Sequence, residues 1–371
     1  MNGYLVSLNQ TKSENLKEDL KQKLSGKRVG YIPVSQDFSS AGDRRRFLMY
    51  AKEYDLQWEI ADPANKYDIL FITTMANVSE WIDYKESYPD TILIFDINNA
   101  FFFKKDILWN AARGITRYIL GREKRLYLHY NNVYTDIFKV ADIIVCPTSS
   151  AKEFISKYNK NVFLSFDYFG EDISTKKINF SPNDPAIIVW EGMGVTAKHL
   201  LSISNVLEKY GDKVKLRIIT DRFYKLAGLI KIDVLKIFKS AKFNFEFYDW
   251  NKETFSELIA SSDIAIIPLN RNDTLAYHKP ENKLALLWQH RIPVITSDTP
   301  AYIESFSNTN MNLTCKNEND WFRNIDLLLS NKFSYEEHMN SVESYLKQSR
   351  SKEAFLETWD RIFLQAVNSL D

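Results

Sequence analysis

The sequence predicts an α/β protein with two parallel sheets, one in each half of the chain. Short, nearly continuous apolar segments alternate with segments of helical periodicity, which is typical of parallel strands covered by helices on both faces. A polar segment with glycine and two prolines interrupts this alternation at 167–185, after which it restarts. The length of 371 residues also suits two domains better than one.

The elements of the first half follow in order from a short amphipathic helix. Leu16, Leu20 and Leu24 have helical spacing and Gly26 follows them, so this helix is expected over 11–25. Strands are then expected at 27–35, 67–73, 91–97, 141–148 and 161–166, and helices at 43–54, 78–87, 104–139 and 149–158. Together they predict a first domain over residues 1–166.

The second half repeats the pattern after the segment 167–185, which we interpret as an interdomain linker. Its expected strands are 186–192, 213–220, 242–250, 262–269 and 291–297, and its expected helices are 197–210, 252–261 and 281–290. Three more helices are expected at 317–330, 334–348 and 352–369. We therefore expect two Rossmann-like domains, 1–166 and 186–350, followed by a C-terminal helix over 351–371.

Composition excludes several classes of protein. The chain is 45% hydrophobic and 26% charged, as globular proteins are, and its formal net charge of zero provides no basic field for nucleic acid. Cys146 and Cys315 have no metal-ligand spacing, which indicates a reducing compartment and no zinc or disulfide scaffold. The sequence shows no signal peptide and no apolar run near the roughly 20 residues of a membrane span, so we expect a cytoplasmic protein.

The segment YHKPENKLALLWQHRIPVITSDTPAY, residues 277–302, predicts a ligand site at the carboxyl edge of the second sheet. Pro280 suits the first position of a helix, where free N–H groups and the helix dipole favour a diphosphate. Lys279 and Lys283 are four residues apart and share one helix face, so both could reach such an anion. Glu281 opposes this, because its carboxylate already complements the dipole, and a solvated helix start with two lysines remains the alternative.

Residues 245–302 and the segment VWEGMG at 189–194 resemble the second domain of GT-B glycosyltransferases, especially the broad retaining group that includes family four. The matching pieces are the segment ELIASSDIAIIPL, the helix KPENKLALLWQH with RIPVITSD after it, and the glycine loop. The resemblance covers about 186–305. It implies a nucleotide-sugar donor on the second domain, a glycan or lipid-linked glycan acceptor on the first, and a final helix that crosses back to the first domain. It also implies that the domains face each other across a cleft and that the protein works in bacterial surface polysaccharide synthesis.

The resemblance and the positions of loops after strands nominate two sets of residues. The donor-binding candidates are Gly192, Met193, Gly194, Lys198, Asp221, Arg222, Trp250, Lys279, Asn282 and Lys283. The catalytic candidates are Asp37, Asp96, His129, Glu191 and His278. Helix capping remains an alternative for Asp221, and a place in the core remains one for Trp250. No cofactor or metal is expected, because the nucleotide sugar is a substrate and lysines with a helix dipole can neutralise its diphosphate.

The chain departs from the family at three positions. Where the family carries two glutamates eight residues apart, aligned on the segment RIPV, this chain has His278 and Leu286, and the family's glycine is Arg291. Leucine cannot bind a ribose through hydrogen bonds, so either that contact comes from elsewhere or the donor differs. An inactive GT-B-like subunit, a periplasmic-type binding protein and a GT-B epimerase remain alternative functions.

The segment 101–130 combines seven Lys or Arg residues, two acidic residues and many aromatic ones. It could form an interfacial surface for anionic lipid, which makes a membrane surface a candidate partner. The alternative is a helix that faces the core and exposes a basic side. Aromatics interleaved with bases also suit single-stranded nucleic acid, but zero net charge argues against such a partner.

Overall fold

The computed structural model describes residues 15–170, 173–178, 181–226, 230–330 and 332–370. The chain divides into two compact units, which are considered separately below. Unit 1 comprises Met1–Tyr168 and Ser351–Asp371, and unit 2 comprises Phe169–Arg350. Of the helix expected at 11–25, residues 11–14 lie outside the described residues, and a helix (α1) is present over 15–24.

Unit 1 contains a six-stranded sheet in which every pair of neighbouring strands is parallel. Its strands are β1 (Val29–Ile32), β2 (Glu59–Ile60), β3 (Ile69–Thr73), β4 (Ile92–Asp96), β5 (Ile143–Cys146) and β6 (Val162–Leu164), in the spatial order β2-β1-β3-β4-β5-β6. The helices between them are α2 (Ala41–Arg44), α3 (Phe47–Tyr54), α4 (Val78–Ser87), α5 (Ile107–Ile119), α6 (Asn131–Val140) and α7 (Ser149–Ile155), with a 3₁₀ helix at Phe101–Phe103.

The two faces of this sheet carry separate hydrophobic cores, because successive side chains of a strand point to opposite faces. Ile69 and Phe71 of β3 pack in one core with residues of α1, α3 and the last helix of the chain. Leu70 and Ile72, from the same strand, pack in the other core with residues of α4 and α6. Helices thus cover both faces, which explains the continuous apolar strands.

Unit 2 repeats this arrangement with a second parallel six-stranded sheet. Its strands are β7 (Ala186–Glu191), β8 (Val214–Ile219), β11 (Phe245–Tyr248), β12 (Ile264–Ile267), β13 (Val294–Ser297) and β14 (Thr314–Cys315), in the order β11-β8-β7-β12-β13-β14. A separate antiparallel hairpin is formed by β9 (Phe223–Leu226) and β10 (Ile230–Asp233). The prediction of two parallel Rossmann-like sheets is confirmed.

The helices of unit 2 lie largely between its strands. They are α8 (Ser204–Tyr210), α9 (Phe255–Ala260), α10 (Thr274–Tyr277), α11 (Asn282–Gln289), α12 (Pro300–Phe306), α13 (Glu318–Leu329) and α14 (Tyr335–Ser349), with 3₁₀ helices at Gly194–Ile203, Gly211–Lys213 and Val234–Phe238. The chain then returns to unit 1 as α15 (Lys352–Val367). The buried face of α15 includes Phe355, Trp359 and Phe363 in the core shared with α1 and α3.

Parts of the segment 167–185 form hydrogen bonds with other residues of unit 2. The backbone amides of Ser174 and Thr175 donate to the hydroxyl of Ser256 at 3.3 and 3.0 Å. The ammonium of Lys177 donates to the carbonyl of Ser262 at 2.8 Å, and the Asn183 side chain donates to a carboxylate oxygen of Asp263 at 2.9 Å. This part of the expected linker is therefore fixed along one unit.

Three predicted helices were wrong in extent. The helix expected over 104–139 is two helices, α5 and α6, because α5 ends before Gly121, which has the left-handed φ of +64° that commonly stops a helix. The helix expected over 43–54 is interrupted after Arg44, where Arg46 leaves helical geometry at φ −130° and ψ −113°. The helix expected over 197–210 begins as a 3₁₀ helix and becomes α8 only at Ser204.

Candidate anion-binding site

Lys283 in the first turn of α11 lies beside the loop that follows β7. The residue is half-buried, and its ammonium donates to the carbonyl oxygen of Glu191 and is 4.8 Å from the centre of the Trp190 ring. The Cβ of a side chain at position 192 would come within 2.1 Å of this ammonium, so Gly192 leaves the space that Lys283 occupies. The glycine loop and the lysine therefore form one site.

Gly194 permits a second close approach in the same loop. A Cβ there would lie 2.9 Å from a methyl of Val234 and 3.1 Å from the carbonyl oxygen of Asp221. The amide of Gly192 donates to the carbonyl of Ile219, the last residue of the adjacent strand β8, at 3.2 Å. The loops after two neighbouring strands thus meet at the carboxyl edge of the sheet, where ligands of doubly wound sheets bind.

Two more lysines contribute positive charge at this edge. Burial lowers the pKa of Lys283 to about 8, and the charge of Lys279 acts in the same direction while Glu191 opposes it. Burial also lowers the pKa of Lys279, and the charge of the exposed Lys198 adds to that effect. Lys279 thus disfavours the charged form of Lys283, and Lys198 disfavours that of Lys279 while Asp273 opposes it, so a bound anion would stabilise the charged lysines.

His199 is buried within this group and ties it to the loop after β12. Its Nδ1 accepts a hydrogen bond from the backbone amide of Asn270 at 3.1 Å, which leaves the proton of the neutral ring on Nε2. Burial, together with the charges of Lys279, Lys198 and Lys283, lowers the pKa of His199 to about 4. The ring is therefore neutral near pH 7, and adds no charge to the three lysines.

The residues at the start of α11 differ in position or contacts from what the sequence predicted. Pro280 precedes Glu281, which occupies the N-cap position of α11, so the proline is not the first helical residue. The Glu281 carboxylate is buried and forms an ion pair with Arg350, which offsets its negative charge. Asn282 is the first residue of α11 and is half-buried.

His278 and Leu286 take different places in unit 2. His278 caps the end of α10 and is half-buried, its ring lies edge-on to Tyr277 at 5.2 Å, and burial lowers its pKa. Leu286 is only 8% exposed and belongs to the core of unit 2. The position where the family carries its second glutamate is thus part of the hydrophobic core in this chain.

Trp250 and Arg222 lie on the far side of the same edge, after β11 and β8. The Trp250 ring is 43% exposed and stacks on Phe255 at 5.6 Å, so it is not a core residue. Arg222 pairs with Asp233 at 3.5 Å, and its backbone amide donates to the carboxylate of Asp249 at 2.8 Å. Asp221 and Met193 are both exposed.

The catalytic candidates of unit 1 have different local surroundings. Asp37 is exposed and accepts hydrogen bonds from the hydroxyl and amide of Ser39 at 2.8 and 3.1 Å, which lower the pKa of Asp37. His129 is exposed in the loop before α6, so the expectation that it lies within the helix over 104–139 was wrong. The early end of α5 leaves residues 120–130 without regular structure.

Asp96 forms a buried ion pair at the carboxyl end of β4. Both of its carboxylate oxygens accept hydrogen bonds from the Arg46 guanidinium at 2.7 Å, and the same arginine donates to the carbonyl of Ser165 at 3.0 Å. Asp96 is 1% exposed and Arg46 is fully buried. To act as a base, Asp96 would have to give up this pair, so its contacts favour a structural role.

Sequence reasoning singled out the three lysines but did not select His199 of unit 2 or Asp43 of unit 1 as site residues, although each organises a loop. His199 follows the glycine loop by five positions, and that spacing was the available signal. Asp43 is fully buried and accepts hydrogen bonds from the Tyr31 hydroxyl, the Val34 amide and the Ser35 amide at 2.5, 2.7 and 2.9 Å. It therefore holds the loop after β1.

Within the described residues, no group of three or more His, Cys, Asp or Glu side chains forms a candidate metal site.

Several solved structures share the architecture of this chain. A glycosyltransferase from Rickettsia africae ESF-5 is 10% identical, with a TM-score of 0.59 over 92% of this chain and 98% of that one. Alr3699/HepE of Anabaena, solved in complex with UDP-glucose, is 10% identical, with a TM-score of 0.57 over 93% of this chain and 100% of that one. The chain has the GT-B fold.

TarM shares the same GT-B architecture within a longer protein. It is 12% identical with a TM-score of 0.55, and the match covers 80% of this chain but only 54% of TarM. The chain thus spans about half of the length of TarM. No model of a protein family matches the sequence, and no curated protein matches it. At these identities the likeness concerns the fold.

Proposed function

We propose that this protein is a glycosyltransferase that moves a sugar from a nucleotide-sugar donor to a glycan or lipid-linked glycan acceptor. The single observation that carries the proposal is the group of Lys198, Lys279 and Lys283 around the glycine loop after β7. The shared fold supports it, because Alr3699/HepE was solved in complex with UDP-glucose. The resemblance of residues 245–302 to retaining GT-B enzymes supports it independently.

In this proposal the donor diphosphate lies against the ammonium groups of Lys279 and Lys283, with Lys198 at the exposed side. Backbone amides of Gly192, Met193 and Gly194 and the start of α11 at Asn282 would add hydrogen bonds to the phosphates. Positive charge fixed at this position stabilises the diphosphate as it leaves the sugar, which lowers the barrier to transfer. The mechanism that we propose is metal-independent, since the lysines supply this charge.

The nucleoside would extend along the edge toward β11. Trp250 supports this placement because its ring is exposed while Phe255 holds it from behind. Stacking of a base on such a ring contributes about 1–3 kcal/mol. Asp221 and Arg222 are available for the ribose or base, a contact that Leu286 cannot make.

His278 and Glu191 are the candidates for contacts with the sugar and the reacting centre in unit 2. Both adjoin the proposed diphosphate position, His278 directly before Lys279 and Glu191 directly before Gly192. Asp37 and His129 of unit 1 remain candidates on the acceptor side. We propose retention of configuration, as the resemblance implies, and a cytoplasmic role in bacterial surface polysaccharide synthesis.

A panel of nucleotide sugars tests donor binding directly. We expect one of UDP-, GDP-, CMP- or TDP-linked sugars to raise the melting temperature, because a ligand that binds only the folded state stabilises it by mass action. Free phosphate and the matching nucleoside serve as controls for each nucleotide. A panel in which none of the four classes raises the melting temperature would contradict the proposal.

A second function, binding of a nucleotide sugar without transfer, is favoured by one specific observation. Leu286 stands in the core where the family carries a glutamate. Release of the free nucleotide from a bound donor, measured with and without candidate glycan acceptors, separates the two functions. A glycosyltransferase releases it at a rate that acceptor increases, whereas an inactive subunit binds the donor and releases none.

A further inference from the structure

Helix α5 packs its polar residues inward. Asn110 is fully buried, donates to the carbonyls of Lys104 and Asp106 at 2.9 and 2.8 Å, and accepts from the amide of Asn131 at 3.0 Å. One turn further, the Arg113 guanidinium lies 4.2 Å from the centre of the Phe101 ring. These contacts fix which side of the helix faces unit 1.

Arg117 completes this polar inner face. It is buried and donates to the carboxylate of Glu123 at 3.1 Å and to the carbonyl of Ala76 at 3.1 Å. The Tyr130 hydroxyl donates to the same carboxylate at 2.7 Å. Two of the segment's arginines therefore point into the protein, which overturns the alternative of a core-facing helix with a basic exposed side.

The outward side of α5 is apolar as a consequence. Leu108, Ile115 and Ile119 lie seven and four residues apart on one stripe, and they are 83%, 40% and 74% exposed. The exposed apolar side chains of this region are Ile107, Leu108, Ile115, Tyr118, Ile119, Leu120, Leu126 and Leu128. So many exposed large apolar side chains in one short segment are uncommon on a surface that faces only water.

Cations flank this patch. Lys105 precedes α5 and Arg122 follows it, and both are exposed. Among the described residues, neither forms an ion pair with a carboxylate, while Glu123 is buried against Arg117. Asp106, which caps α5, is the exposed acid at this end of the helix. The flanking charge favours a negatively charged partner.

We propose that the apolar face of α5, extended by residues 120–128, binds the surface of an anionic lipid bilayer. The helix would lie in the interface plane with Leu108, Ile115 and Ile119 among the acyl chains, and with Lys105 and Arg122 at the headgroups. A second copy of the chain is a poorer occupant, because an antiparallel contact would bring Lys105 of one copy beside Arg122 of the other. Within the described residues, no helix is long and apolar enough to cross a bilayer.

The surface would bring the protein to a lipid-linked acceptor, a role that rests on the proposed function. A lipid-linked acceptor is confined to the membrane, so a protein held at the bilayer meets it at a higher effective concentration. Vesicle binding needs no donor, and donor binding needs no vesicle. Failure of either proposal can therefore be recognised without the other.

Vesicle co-sedimentation tests the surface. We expect the protein to bind phosphatidylcholine vesicles that contain phosphatidylglycerol about tenfold more tightly than vesicles of phosphatidylcholine alone. The double variant Ile115→Gln/Ile119→Gln should bind the anionic vesicles at least tenfold less. Ile60→Gln, an equally conservative change at another exposed isoleucine of unit 1, should bind as the parent protein does.

A charge variant and an association measurement complete the test. Lys105→Glu/Arg122→Glu should reduce binding to anionic vesicles and leave the weak binding to neutral vesicles unchanged. All variants should keep the melting temperature of the parent protein, which shows that they are folded. Equal binding by the parent and the Ile115→Gln/Ile119→Gln variant would overturn the proposal. The proposal would also be overturned if the parent protein bound no vesicles and instead formed a dimer that this variant abolishes. Sedimentation velocity measures that dimer.

Discussion

The ammonium of Lys283 occupies space that exists because residue 192 has no side chain. Its contacts are a backbone carbonyl and the face of Trp190, and the charge of Glu191 favours its protonated form. Burial and the nearby Lys279 together make the charged form of this lysine costly in the free protein. A bound diphosphate would remove that cost. A doubly charged ligand should therefore gain the most binding free energy at this site.

Replacing Lys283 by alanine should therefore weaken donor binding more than folding. Loss of one hydrogen bond to a charged group is expected to cost about 1.5–3 kcal/mol, roughly a tenfold to hundredfold rise in the Kd for the nucleotide sugar. The melting temperature should stay constant or rise slightly, because the variant no longer buries this cation. Titration calorimetry with the donor identified by the panel measures the affinity.

Lys347→Ala is the matched control, since this lysine is exposed on α14 of the same unit. Its donor affinity and melting temperature should equal those of the parent protein. If Lys283→Ala and Lys347→Ala bind the donor equally well, Lys283 has no part in the site.

The pKa of Lys283 also predicts how binding depends on pH. Only the protonated lysine attracts the diphosphate, so donor affinity should be constant below pH 8 and fall above it, by at most about tenfold per pH unit. The free energy of unfolding should instead rise with pH. Between about pH 8 and the unfolded value near 10.4, the unfolded chain holds more protons, so rising pH stabilises the folded state.

Calorimetric titrations between pH 7 and the onset of alkaline unfolding check this dependence. Lys283→Ala should lose most of the decrease above pH 8, because the group that titrates is gone. A parent protein whose affinity stays constant through that range would show that Lys283 is not the titrating ligand.

The turn between α11 and β13 shows how an element can retain a strained residue. Arg291 has φ of +57°, in the left-handed region that favours glycine, at the position where the resembled family carries glycine. Its side chain forms ion pairs with Glu336 and Glu343 of α14, and its carbonyl accepts from the Tyr335 hydroxyl at 2.7 Å. These bonds compensate for the backbone cost and join the turn to α14.

Two substitutions separate the backbone cost from the ion pairs. Arg291→Gly and Arg291→Ala both remove the pairs with α14, but only glycine adopts this φ without strain. Arg291→Gly should therefore be more stable than Arg291→Ala by about 1 kcal/mol. Urea unfolding measures both free energies, and equal values would show that the turn relaxes to another conformation.

The elements that sequence reasoning found are those with strong periodicity. Strands such as β3 and β4 are buried along their whole length, so their apolar runs were visible without knowledge of the fold. β2 has two exposed residues and β14 has two residues, and neither is long enough to carry a pattern. The hairpin of β9 and β10 was missed because β10 is half exposed and mixes charged with apolar residues.

Helix α5 shows a second limit of prediction from sequence. The sequence showed that basic and aromatic residues are combined in this segment, but it cannot show which side of the helix faces the protein. The choice is made by partners distant in sequence, the carbonyl of Ala76 for Arg117 and the amide of Asn131 for Asn110. The same limit applies to the anion site, where spacing predicted two lysines but not that Gly192 gives one of them room.

At the scale of the whole molecule, unit 1 depends on the end of the chain. Trp359 of α15 is fully buried, its ring stacks against Tyr50 and Phe71 at 5.7 and 5.6 Å, and its indole N–H donates to Ser165 at 2.9 Å. These partners come from α3, β3 and the segment after β6. A helix more than 180 residues later in sequence thus completes the core of the first sheet.

Trp359→Ala should destabilise unit 1 strongly. Removing a fully buried tryptophan leaves a cavity and is expected to cost about 3–5 kcal/mol. Glu357→Ala, at an exposed position of the same helix, should change stability by less than about 0.5 kcal/mol. Urea unfolding followed by tryptophan fluorescence compares the two variants, and similar losses would show that α15 contributes little to the core.

The return of α15 to unit 1 also sets an order for the events of biosynthesis. Residues 169–350 form a contiguous unit and can fold as soon as they leave the ribosome. The sheet made first must wait, with one face covered only by α1 and α3, until residues 352–367 emerge after all of unit 2. A nascent chain halted near residue 350 should therefore protect its second half from protease while its first half is still cleaved.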